Sequence, residues 1–290
     1  NLNFSKVYQV YDSSSQVTLA LKIVDLSKAD QLTCEGYKNE INLLKKLKSC
    51  YRVVRMYDFE FRNSESKLFV VMEKGDSDLA SVLKSFVETE NYKLDPHLIR
   101  FYWKEMLKAV DEIHQHGIVH ADLKPVNFIL ISGKLKLIDF GIANAIQHDH
   151  TSVFKDHQIG TINYMAPEAL RNRSTTGRTV IKFNCKADIW SLGCILYNLV
   201  YGRTPFHHFP DLISKAQAIL NDRYEIKYPP IDDPLLLDCI KLCLQRDASQ
   251  RPTAKELLNH GYLTDSNGVQ TQSSQEMINN NLIASQSQQF

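Results

Sequence analysis

HADLKPVNF, residues 120–128, and LKLIDFGIAN, residues 135–144, hold the densest chemistry in the sequence. Asp122, Lys124, Asn127 and Asp139 supply a carboxylate, an amine, an amide and a second carboxylate. A carboxylate can accept the proton of an attacking hydroxyl. An ammonium can offset charge on a moving phosphoryl group. An amide oxygen and a carboxylate are hard ligands suited to Mg2+. Either fragment alone also fits a polar turn capping a helix. Both together, in this order and between strand-like runs, point to phosphoryl transfer.

The bulk numbers allow this and exclude little else. At 290 residues the chain can bury a sizeable core, as one large domain or two modest ones. Its formal net charge of +1 gives no reason to expect nucleic acid or membrane binding. The six cysteines have no CxxC spacing, and Cys239 and Cys243 lie four apart on one helical face, so buried thiols in a reducing, intracellular compartment are expected. No apolar run approaches membrane-spanning length, and NLNFSKVYQV lacks the features of a signal peptide.

Outward from the central motifs, periodicity divides the chain. KVYQVY, VTLALKIV, RVVRMYDFEF and KLFVVME read as strands, with turns at DSSSQ and RNSES. EGYKNEINLLKKLK, residues 35–48, sets Tyr37, Ile41, Leu44 and Leu47 at helical spacing. From SDLASVLKSF onward helical patterns dominate, through LIRFYWKEMLKAVDEIHQHG, DIWSLGCILYNLVYG and PLLLDCIKLCLQ. In the first of these Phe101, Met106, Val110 and Ile113 form an apolar stripe, and Gly117 caps the end. NFILI and KLKLIDF form a strand pair, RNRSTTGRTVIKFN is an exposed basic insertion, and the Ser/Gln/Asn-rich tail at 264–290 is expected to be disordered.

The motif set resembles the eukaryotic protein kinase domain, a resemblance covering residues 5 to 263. It implies an α+β, bilobal kinase-like fold, with a small strand-rich N-lobe (about 1–72) bearing one key helix, a hinge (about 73–76) and a larger helical C-lobe (about 77–263). It implies ATP and Mg2+, with Asp122 and Lys124 catalytic and Asn127 and Asp139 on the metal. Lys22 in LALKIV would grip the phosphates and Glu40 would pair with it. Met72, the Glu73 carbonyl and Gly75 would meet the adenine edge, and Val7, Ala20 and Ile129 its faces, although those three also fit ordinary core. Glu168 in MAPEA would pair with Arg251, and Asp188 would brace the catalytic loop. Lys124 and Thr161 mark a serine/threonine acceptor.

FYWKEML, HQHGIVHADLKPVNF, TSVFKDHQIGTINYMAPEAL and WSLGCILYNLVYGRTPF are similar to the monopolar-spindle (TTK) dual-specificity kinase family. That likeness implies spindle-checkpoint work on protein substrates bearing Ser/Thr, kinetochore partners, a nuclear and kinetochore location, and self-association for trans-autophosphorylation at Thr151 or Ser152. Ala121, where kinases usually carry arginine, is a trait of that branch; it removes a buried positive charge that an activating phosphate would otherwise meet, leaving Lys155 or Arg100 as partners.

The glycine-rich lid departs from the kinase pattern. Aligned through KVYQV, Ser5 and Leu2 occupy the third and second glycine positions, and the first strand is missing from the chain. The chain is a fragment, or lacks some residues, or has a degenerate lid. An active kinase is the first reading, and a pseudokinase or scaffold that keeps the fold is the alternative.

Overall fold

A computed structural model of the chain describes residues 5–87, 94–140, 162–174 and 184–264. They group into two compact units. The first contains residues 5–78 and 127–140, and the second contains residues 79–126 and the described residues from 162 onward.

The first unit is an antiparallel sheet with one long helix. β1 (Ser5–Asp12) and β2 (Val17–Asp25) form a hairpin that sets Val7 opposite Lys22. With β3 (Met56–Arg62) and β4 (Lys67–Glu73) they make a sheet in the order β1-β2-β4-β3. Helix α1 (Gln31–Lys46) starts four residues earlier than its apolar spacing suggests, because the Asp30 carboxylate accepts the Thr33 N–H at 2.8 Å and caps it there. Ile41 on α1 packs with Val24, Leu68 and Val70 of the sheet, all at most 3% exposed.

Expected strand RVVRMYDFEF begins only at Met56. Val53 and Val54 are buried for another reason: this turn bridges to Leu137, whose carbonyl accepts the Val54 N–H at 2.9 Å and whose N–H donates to Arg52 at 2.8 Å. β5 (Ser77–Asp78), β6 (Phe128–Ile131) and β7 (Lys134–Leu137) form a second small sheet in that order, so the NFILI/KLKL hairpin groups with the first unit.

The second unit is helical. Its described helices are α2 (Leu79–Val87), α3 (Pro96–Gln115), α4 (Pro167–Ser174), α5 (Cys185–Tyr201), α6 (Leu212–Leu220), α7 (Pro234–Cys243), α8 (Ala254–Leu258) and α9 (Gly261–Thr264). α3 opens on Pro96 behind an Asp95 cap and stops before Gly117, at φ 69°. Its apolar face is wider than one stripe and takes in Tyr102, Trp103, Leu107 and Ala109, while Phe101 stays half-buried.

α5 is buried almost all round, as expected of a helix apolar on every side. Gly193 lets it approach α7: a Cβ there would lie 2.5 Å from Cys243 Cβ. The expected insertion at 171–184 contributes its first four residues to α4, and residues 175–183 lie outside the described residues, as does the tail from 265. Among the described residues no helix is long and apolar enough to cross a membrane.

Candidate active site

In the first unit Lys22, Glu40 and Asp139 meet. The β2 register carries Lys22, α1 carries Glu40, and Asp139 follows β7. Lys22 Nζ lies 3.5 Å from Glu40 Oε1 and donates a hydrogen bond to Asp139 Oδ1. The Lys22 and Glu40 side chains are 12% exposed, whereas Asp139 is 49% exposed.

Burial alone would depress the Lys22 pKa, but the Asp139 and Glu40 carboxylates outweigh it and hold the ammonium above its ordinary value. Burial pushes Glu40 up from the usual carboxylate value against the pull of Lys22, and Asp139 adds to the rise. With all three ionised, the cluster carries one more negative charge than positive. It therefore attracts a cation.

Asn127, 3% exposed, closes the turn Pro125–Asn127 just ahead of β6, and its carbonyl accepts the Ile138 N–H at 3.0 Å. That bond aligns Asn127 with the residue before Asp139. An amide and a half-exposed carboxylate suit a Mg2+ ion that keeps waters and phosphate oxygens among its ligands. Among the described residues no group of three or more His, Cys, Asp or Glu could cage a metal. The donor set fits Mg2+ on a nucleotide.

The expected adenine residues are also in this unit. Ala20 pairs with Met72 across β2 and β4. Gly75 lies against Ile129 so closely that a Cβ would sit 1.9 Å from Ile129 Cγ2. Val7 is 62% exposed on β1. The Glu73 side chain is held by Lys136 Nζ at 2.7 and 2.9 Å, a clamp that sequence reasoning missed. A lysine in a short strand reads as a solvated edge charge, and nothing nearby in sequence marks its partner.

In the second unit the catalytic-loop residues are fixed by α5. Asp188, fully buried in its first turn, accepts the backbone N–H groups of His120 and Ala121, both at 2.9 Å, and pairs with His114 Nε2 at 2.8 Å. Ala121 is thereby held at φ 65°, a left-handed conformation unusual for a residue with a Cβ. Immediately after it, Asp122 Oδ2 accepts from Lys124 Nζ at 2.7 Å. The carboxylate and ammonium expected to act in the reaction are therefore paired with each other, just after a backbone turn held by one buried anchor.

Arg251, 1% exposed, makes a bidentate pair with Glu168 at 2.7 and 2.9 Å. It also donates to the carbonyls of Gln245, Lys186 and Arg246, so the expected pair ties α4 to the start of α5 and the turn before α8. Arg100 stacks over the Tyr262 ring at 4.7 Å. Thr151, Ser152, Lys155 and Thr161 lie outside the described residues.

Residues 3–263 match the family described as "Protein kinase domain". The chain is 47% identical over 263 residues to the "Dual specificity protein kinase TTK" of Mus musculus, an alignment covering 89% of this chain and 30% of that protein. It is 42% identical over 280 residues to the "Serine/threonine-protein kinase mph1" of Schizosaccharomyces pombe, covering 89% and 41%. It is 38% identical over 272 residues to the "Serine/threonine-protein kinase MPS1" of Saccharomyces cerevisiae, covering 89% and 35%. The chain thus spans less than half the length of each of these relatives.

Proposed function

Given that this chain belongs to the protein kinase domain family, we propose that it transfers the γ-phosphoryl group of ATP to Ser or Thr of protein substrates. The observation that carries this reading is the Lys22–Glu40–Asp139 cluster: a buried ammonium kept charged by two carboxylates, one of them half exposed. A scaffold that had lost catalysis would have no need to keep a buried lysine between two carboxyl groups there.

Each side chain then has a task. Lys22 binds phosphate oxygens of ATP, and Glu40 holds Lys22 in place. Asn127 and Asp139 would hold Mg2+, which when bound supplies charge neutralisation on the phosphates. Asp122 accepts the hydrogen bond of the incoming hydroxyl and orients it, and Lys124 steadies the transferred group. This is positioning and electrostatics more than covalent chemistry. The relative named as a dual-specificity kinase supports a dual-specificity activity, and the sequence likeness to the monopolar-spindle kinases extends the reading to kinetochore partners, self-association for trans-autophosphorylation and a place in the spindle checkpoint.

Mapping phosphosites after incubation with Mg2+ and ATP tests the activity. New phosphoserine and phosphothreonine on the chain and an added protein, absent with Asp122→Asn, are expected. No phosphate on either would favour the pseudokinase reading.

A further inference from the structure

Lys136 has no task in the phosphoryl transfer itself, yet it is held more closely than a strand lysine usually is. It lies on β7, 8% exposed, and its Nζ donates to both carboxylate oxygens of Glu73, at 2.9 and 2.7 Å. The same ammonium lies over the Tyr51 ring, 5.0 Å from its centre. A buried ion pair adds little net stability, because desolvation offsets much of the attraction. What it can supply is one fixed arrangement.

Here the fixed part is the stretch from Glu73 to Asp76. The Glu73 N–H donates to the Arg55 carbonyl at 2.9 Å, and the Arg55 N–H returns a bond to Glu73 Oε2 at 3.3 Å. At the far end the Asp76 N–H donates to the Leu130 carbonyl at 2.8 Å. Between them Gly75 lies against Ile129 with no room for a Cβ. Ile129 is in turn the cross-strand partner of Lys136. Residues 73–76 are therefore fastened at both ends to the β6–β7 hairpin, once through the Lys136 ammonium and once through backbone. Asp139 follows Lys136 by three residues.

The consequence falls on the nucleotide base. The kinase resemblance puts the Glu73 carbonyl and the Gly75 N–H against the edge of adenine, an acceptor facing the N6 amino group and a donor facing N1. Guanine reverses both, with a carbonyl oxygen at position 6 and an N–H at position 1. To accept guanine, these residues would have to slide along the base or turn a peptide. A segment fastened at both ends resists either change.

We infer that Lys136 is a positioning residue of the nucleotide site: by holding Glu73 it keeps residues 73–76 in the register that accepts adenine and rejects guanine. The inference rests on the protein kinase reading and adds to it the residue that sets nucleotide choice.

The test measures binding of ATP and of GTP with Mg2+ to the whole chain, and KM and kcat for each nucleotide at a saturating threonine peptide. Wild type should favour ATP over GTP by at least about ten-fold in Kd, the scale of one buried polar group left unpaired. Lys136→Met combined with Glu73→Leu removes both charges together, so no lone carboxylate is stranded and Tm should change little. In that double variant ATP affinity should fall by about ten-fold and GTP affinity much less, bringing the ratio toward one. KM for ATP should rise while kcat changes less than about two-fold, because Asp122 and Lys124 are untouched. Lys136→Arg should keep the preference, and Lys134→Met, which removes an exposed lysine of the same strand, should leave it unchanged. Glu73→Gln keeps the side-chain shape and loses only the charge. It should show a smaller loss of the same kind, and it serves if the double variant does not fold.

A ratio that stays at its wild-type value in the double variant, or in Glu73→Gln where that one is used, overturns the inference, since a merely structural clamp would weaken both nucleotides alike. A wild-type chain that binds ATP and GTP equally also overturns it and leaves the kinase reading standing. A chain that binds and uses neither overturns both.

Discussion

Asp188 accepts the Ala121 N–H at 2.9 Å from full burial, and by that bond a helix in the core sets the left-handed backbone turn just before Asp122. The anchor serves three donors, so its loss removes a hydrogen bond from each of them. Asp188→Ala is expected to cost about 3–5 kcal/mol, the scale for stranding partners of a buried charge. Urea denaturation measures this, and phosphoryl transfer should fall even under conditions where the variant is folded.

Ala121 gives a second, finer test. At φ 65° a β-branched side chain is strained, whereas glycine is not. Ala121→Val should lower stability by about 1–2 kcal/mol, and Ala121→Gly should be close to neutral because relief of strain offsets glycine's entropy. Equal losses for both would show that the backbone conformation is not the constraint. Ala121→Arg should make activity depend more steeply on chain phosphorylation, read as the rate before and after phosphatase treatment.

Much of this machinery was legible beforehand because kinase-like motifs are local strings: HADLKPVN, DFG and MAPEA each announce their chemistry within a few residues. The anchors are different. Asp188 reaches its two backbone donors across 68 and 67 residues, and Lys136 reaches Glu73 across 63. No spacing rule connects such pairs. Lys215 sits in LISKAQAIL, where a lysine on an amphipathic helix reads as surface, and only its 8% exposure shows otherwise. The start of α1 differs from its expected place for a local reason: the Asp30 cap sets it at Gln31, whereas the apolar spacing begins only at Tyr37.

The Lys22 cluster has a definite pH signature. In wild type, Lys22 is raised by its partners, so its contribution is fully present below the ordinary lysine pKa and is lost only as pH climbs through the higher folded value. Lys22→Met leaves Glu40 and Asp139 facing each other. Glu40, already raised by burial, should rise further, so the native state of the variant binds more protons than the unfolded one and its stability should fall as pH rises above about 4.5. The loss at neutral pH should be about 3 kcal/mol, below the upper range for buried pairs because Asp139 is half exposed. Denaturation midpoints at pH 5 and pH 8 check the sign; a larger loss at pH 5 would contradict it.

Gly75 and Ile129 should behave as a coupled pair. Gly75→Ala drives a Cβ to within 1.9 Å of Ile129 Cγ2, an overpacking expected to cost about 1–3 kcal/mol and to weaken nucleotide binding. Adding Ile129→Ala removes the obstructing group, so the double variant should recover part of the loss, a favourable coupling of about 1 kcal/mol or more. Simple additivity would show that the close approach is relieved by backbone movement.

The measurement closest to the central claim is single-turnover transfer of labelled γ-phosphate from ATP to a threonine peptide, comparing wild type with Asp139→Asn in the presence of Mg2+. The account expects transfer by the wild type and a loss of at least about a hundred-fold in the variant, the size of effect seen when one transition-state electrostatic group is removed. Equal rates, or no transfer by the wild type, would contradict it.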